Sequence, residues 1–163
     1  MHATSSDRCG SAGFTIIELV AVLALTALVS LAVLPRLDAI SSMRAAGWRE
    51  QVLAALRHAQ STAQSHRRLV CVNVATGAVT LTLATTNPAT SCPAALPGPD
   101  AQAAWARDGA APSTTVAPAG VLYVQPTGRV TTAAAADSTA VDRVISIAGE
   151  ASITVVGETG HAH

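Results

Sequence analysis

The chain has 163 residues, half of them apolar, with 12% charged, 2% aromatic and a formal net charge of zero. That length holds one domain with an appended segment. Zero net charge removes the usual electrostatic ground for nucleic-acid binding, and the scarcity of aromatics excludes an aromatic-rich interior, leaving β-branched strand packing as the expected core. Every basic residue other than His is Arg, which reads as a compositional bias without functional meaning. The charges are spread unevenly. Arg36, Arg44, Arg49, Arg57, Arg67 and Arg68 outnumber Asp38 and Glu50, whereas from Asp100 onward Arg107, Arg129 and Arg143 meet Asp100, Asp108, Asp137, Asp142, Glu150 and Glu158. Solvated faces of opposite bias or complementary surfaces between subunits both fit that pattern.

Residues 1–13 are polar and include His2, Asp7 and Arg8. Residues 14–34 are apolar apart from Thr15, Glu18, Thr26 and Ser30. The uncharged run Leu19 to Leu34 is shorter than a membrane span requires, but counted from Phe14 the helix reaches ~31 Å, about one hydrocarbon core. Glu18 then lies near one end, where a charge costs less than at the midplane. A secretory signal peptide fits poorly. Asp7 offsets Arg8, and the small residue, Gly13, precedes the apolar run where a signal peptidase site should follow it.

Pro35 lacks an amide donor and is expected to break or loosen the helix. Beyond it a 3.6-residue pattern resumes through Leu37, Ile40, Met43, Trp48, Val52, Leu56, Ala59 and Ala63, which predicts an amphipathic helix to about Arg68. The period then becomes 2. Val70, Val72 and Val74, then Val79, Leu81 and Leu83, flank ATGA at 75–78 and predict a β-hairpin. Thr85 to Pro118 reads as a long polar, Pro-rich connection, of the kind that is usually functional or mobile. Residues 120–131 read as strand, turn, strand, and 143–157 as a hairpin around Gly149-Glu150. Five to seven short strands after a helix predict an α+β fold.

The stretch GFTIIELV (Gly13 to Val20) resembles the class III signal of type IV pilins and type II secretion pseudopilins. It combines Gly13 as last leader residue, Phe14 as first mature residue and Glu18 as fifth mature residue, with Pro35 at mature position 22. The resemblance implies that prepilin peptidase cuts between Gly13 and Phe14 and methylates the new amine of Phe14. It implies that Glu18 acts in assembly, as an in-register mark for adding subunits. The bland alternative for Glu18 is an acid interacting with the helix dipole.

LRHAQSTAQSHRRLV (56–70), QPTGRV (125–130) and ITVVGETGHAH (153–163) are similar to segments of the type II secretion protein H and FimT kind of minor pseudopilin. LPRLDA and the ETG-x-x-H ending resemble the mannose-sensitive haemagglutinin pilus branch. The implied chain has a prepilin leader (1–13), a transmembrane and assembly helix (14–35), an amphipathic helix (36–68) and a periplasmic β-rich head (69–163). The implied fold is a long N-terminal helix, transmembrane in its first half, packed on an antiparallel β-sheet or small β-sandwich. The implied location is the bacterial inner membrane, single pass, with the leader cytoplasmic and the head periplasmic, and with entry into a filament. The implied partners are other pilin or pseudopilin subunits, prepilin peptidase and an inner-membrane assembly platform. Some FimT-type proteins bind DNA through an arginine-rich ending. The tail here has none and its domain is net acidic, which argues against DNA. A filament-displayed binding module, for DNA uptake or surface adhesion, is the alternative function, and a singly anchored periplasmic domain without a filament is a third reading.

Cys9 would leave with the leader. Cys71 and Cys92 remain, and an oxidising compartment would favour a disulfide pinning the Pro-rich connection to the first strand; two separate thiols, Cys71 buried, are the alternative. No G-x-S-x-G elbow or phosphate loop is present. Cys71 with His58 or His66 is a conceivable pair, but no enzymatic activity is expected. His161 and His163 would share a face on a strand. Two ligands at a chain end read as a solvated tail, so neither a metal nor another cofactor is expected.

Overall fold

The computed structural model describes residues 14–163, with side chains for 14–30 and 40–163. Two compact units result, the first ending at Ala39 and the second comprising Ile40–His163. Helical backbone, α1, falls within Ile16–His66. Its described side chains fall in two stretches, 16–30 and 40–66, which belong to different units.

This corrects two expectations, the long N-terminal helix with a transmembrane first half and the single-pass inner-membrane location. Among the described residues no helix is long and apolar enough to cross a membrane. The later segment carries Arg44, Arg49, Glu50 and Arg57 and is not apolar.

The packed face of the second segment is Ala45, Trp48, Val52, Leu53, Ala55, Leu56, Ala59 and Ala63, all buried, at the 3.6-residue spacing that places such positions on one side. The expected stripe was too long at its start: Ile40 and Met43 are 56% and 75% exposed. The helix ends at His66. The Arg68 amide donates to the Ala63 carbonyl and the Arg67 amide to that of Gln64, with Arg67 at φ 51°. That is a Schellman ending with Arg where glycine is usual. The Asn87 side-chain amide donates to the Arg67 carbonyl at 2.8 Å, an additional tie on this left-handed residue.

β1 (Val70–Ala75) and β2 (Ala78–Leu83) form the expected hairpin, with Val72 opposite Leu81 and Ala75 opposite Ala78. Gly77 has φ +75°, and a Cβ there would lie 2.6 Å from the Asp108 carbonyl oxygen, so the turn requires glycine. The Pro-rich connection differs from expectation. It contains β3 (Ala94–Leu96), β4 (Ala106–Arg107) and β5 (Thr114–Ala117). Strands of two to four residues among Ala and Pro give too few alternations for a period to register. β6 (Leu122–Val124) and β7 (Val130–Thr131) flank the 125–129 turn, and β8 (Arg143–Ile147) pairs with β9 (Ile153–Val155), Ile145 facing Ile153.

Nine strands therefore form two antiparallel sheets among the described residues. The first has the order β3–β2–β1–β6–β7, with β4 also on β2; the second is β5–β8–β9. Helix and sheets together make an α+β head. Val70, Val72, Val79, Leu81, Leu122 and Val124 of the first sheet share a core with Ile145, Ile147, Ile153 and Val155 of the second and with Trp48, Val52 and Leu56 of the helix. Cys71, one position out of phase with Val70 and Val72, joins a smaller cluster with Leu69, Ala84, Ala134 and Tyr123. There Cys71 is bonded to Cys92, 21 residues on, at a Cα–Cα distance of 6.1 Å.

Candidate functional site

In the first unit the helix starts after Thr15. The Glu18 amide donates to the Thr15 carbonyl at 3.1 Å and to its Oγ1 at 3.3 Å. Thr15 is thus the N-cap and Glu18 the third helical residue, the T-x-x-E spacing of a capping box. That spacing is legible in the sequence and was the missed signal here. The carboxylate also lies where the helix dipole favours an anion.

Around it the large apolar side chains are exposed: Phe14 82%, Ile16 85%, Ile17 79%, with Leu19, Val20, Val22, Leu23, Leu25, Leu28 and Val29 all above half. Phe14, Glu18, Leu19, Val22 and Leu23 line a depression of about 220 Å³. Glu18 has no ion-pair partner among the described residues. Phe14 and Glu18 therefore share one small apolar site. Gly13 lies outside the described residues, and Pro35 falls among 31–39, whose side chains are not described.

The head offers a second feature, a groove of about 480 Å³ between the helix and the 97–107 segment. Its lining combines Trp105, Pro99 and Ala54 with Glu50, Asp100 and Arg107. His58 stacks on Trp105 at 5.8 Å between ring centroids. An apolar floor with a few charged groups is the usual make-up of a ligand pocket.

Two buried polar residues escaped the sequence reading because nothing local marks them. Gln125 donates through Nε2 to Thr131 Oγ1 at 2.9 Å and to the Ala134 carbonyl at 3.2 Å, fixing the chain after β7. Arg143, 4% exposed, donates through Nη1 to the Pro118 carbonyl and through Nη2 to that of Val121 at 3.4 Å. Its buried Nε has no partner among the described residues. Burial lowers the Arg143 pKa from its ordinary value, and the charge of Tyr123 acts in the opposite sense. The guanidinium is spent on tying β8 to the 118–121 loop.

Cys71 has no free thiol for a pairing with His58 or His66, because the disulfide consumes it. Among the described residues no three of His, Cys, Asp and Glu come together as a metal cluster. His161 and His163 do come together, their rings stacked at 5.6 Å. Compared with known families, curated proteins and solved structures, the chain has no match.

Proposed function

We propose that the chain is a minor pilin-like subunit, a structural component of a type IV pilus or type II secretion pseudopilus, cut by prepilin peptidase between Gly13 and Phe14 and N-methylated there. One observation carries this reading: an exposed apolar helical segment bears a single carboxylate, Glu18, without an ion-pair partner among the described residues. Each Leu, Ile, Val or Phe that becomes buried contributes about 1.5–3 kcal/mol, so the segment gains most when equivalent helices cover it. Burial would strand Glu18. An uncompensated buried charge costs roughly 3–5 kcal/mol. Cleavage before Phe14 creates a cationic amine one helical turn away, and the amine of a neighbouring subunit can pair with Glu18. Apolar burial then drives packing, and the ion pair selects the register.

The GFTIIELV pattern and a helix-plus-antiparallel-sheet head support the same reading. The groove at Trp105 favours a second one, a binding module displayed by the filament. Its two carboxylates disfavour phosphate, so the ligand would be something other than nucleic acid.

The test is co-expression with prepilin peptidase and mass measurement of the product. The expected product has lost residues 1–13 and starts at N-methylated Phe14, and Gly13→Val stays uncut. A wild-type chain of unchanged mass removes the basis of the proposal.

A further inference from the structure

We propose that His161 and His163 form a two-imidazole binding site for a late first-row divalent cation such as Ni²⁺, Zn²⁺ or Cu²⁺. After Gly160 the chain rejoins the second sheet alongside β9. The Val156 amide donates to the His161 carbonyl at 2.9 Å, the Thr154 amide to the His163 carbonyl at 2.9 Å, and the His163 amide back to Thr154 at 3.1 Å. Ala162 pairs with Val155 and is 4% exposed. In a strand successive side chains alternate. Ala162 buried therefore means that both flanking imidazoles project to the opposite side, where they are exposed.

The turn that delivers them is tightly determined. Gly160 has φ +69°, its amide donates to the Val156 carbonyl at 2.6 Å, and a Cβ there would lie 2.1 Å from the Gly128 carbonyl oxygen. The two rings are held by a paired backbone rather than by a free tail, stacked at 5.6 Å and 21° between planes. Ring rotation about χ2 is soft, so one nitrogen of each ring can turn toward a common ion at the ~2.0–2.1 Å typical of metal–imidazole bonds.

The chemistry selects the metal class. Two imidazoles with no Asp or Glu side chain grouped with them among the described residues suit Zn²⁺, Ni²⁺ and Cu²⁺ rather than Ca²⁺ or Mg²⁺, which demand oxygen ligands. No third protein ligand joins them among the described residues, so water completes the coordination and the ion stays exchangeable. His58, stacked on Trp105, and His66 at the helix end provide internal controls.

The full chain, without a polyhistidine tag, is titrated calorimetrically with Ni²⁺ alone. One equivalent should bind. His161→Ala and His163→Ala should each weaken binding at least tenfold, while the His58→Ala/His66→Ala chain binds like wild type. Both tail positions are exposed, so thermal unfolding of these variants should match wild type, which separates a lost ligand from a lost fold. Absence of Ni²⁺ binding, or undiminished affinity in the His161→Ala and His163→Ala chains, overturns the proposal.

Discussion

Trp48→Ala is expected to lower the unfolding free energy of the head by about 3–5 kcal/mol, the range for removing a buried Trp or Phe. Trp48 is 1% exposed and belongs to the core cluster that contains residues of both sheets. Among the described residues no other ring is a buried member of this cluster; Trp105 packs against it from a partly buried position, and the cluster's other buried residues are Val, Leu, Ile and Ala. These branched side chains cannot collapse to fill an indole-sized void, which places the loss toward the upper part of the range.

A polar contribution can be separated from the volume. The Trp48 indole N–H donates to Thr114 Oγ1 at 2.9 Å, and that hydroxyl donates onward to the Pro112 carbonyl at 3.0 Å. Thr114 is also tied through its backbone to Thr76 in the β1–β2 turn. Trp48→Phe keeps most of the volume and removes the indole donor. It should cost about 1 kcal/mol for the hydrogen bond, with a smaller cavity cost added. Urea unfolding of the three chains checks this. Trp48→Ala within 1 kcal/mol of wild type would mean that the helix is not packed as described.

The second large effect belongs to the disulfide. Cys71 and Cys92 are 21 residues apart, and closing such a loop restricts the unfolded chain by about 3 kcal/mol in the chain-entropy treatment. The native side adds to this. Both residues pack against the small cluster of Leu69, Ala84 and Ala134, separate from the main core, where the bond ties the 85–93 stretch to β1. The Cys71→Ala/Cys92→Ala chain should therefore lose about 3 kcal/mol in the same unfolding experiment. Alkylation of the unreduced protein should add no mass at Cys71 or Cys92. Two labelled thiols, or a double variant as stable as wild type, would show that the bond does not contribute in solution.

How much of this was legible in the sequence depends on how each element is stabilised. The β1–β2 hairpin was, because Val70, Val72, Val74, Val79 and Leu81 alternate around a turn and bury one face. The β8–β9 hairpin was, for the same reason, with Gly149 at φ +86° in its turn. β3, β4 and β5 were not, since each is held by its neighbours on β2 or β8 rather than by its own pattern. The helix stop was misjudged by two residues because its ending uses Arg67 in a conformation normally signalled by glycine. Ile40 and Met43 fit the helical stripe yet are exposed, because periodicity marks which face is apolar and not where its cover begins.

The candidate site divides along the same line. Phe14 and Glu18 were found by motif, and the depression that joins them is local to residues 14–23 at the start of one helix. The groove at Trp105 was invisible, because it joins residues 50–54 to residues 99–107 through the tertiary fold. The membrane span was read from the apolar run as one uninterrupted piece. Among the described residues no helix of sufficient length and apolarity is present. Gly13 lies outside the described residues, so its role rests on the sequence motif alone.

The role assigned to Glu18 stands or falls with filament incorporation. Glu18→Val keeps a helix-compatible apolar residue at the position and deletes only the charge, so processing and head folding should survive. Sheared filaments from cells expressing wild type or Glu18→Val, together with the partner subunits and prepilin peptidase, are compared by quantitative mass spectrometry. The expected result is a Glu18→Val chain that is cut before Phe14 like wild type but at least tenfold depleted from the filament fraction. A Glu18→Val chain present there at the wild-type level would contradict the electrostatic register and the assembly role built on it.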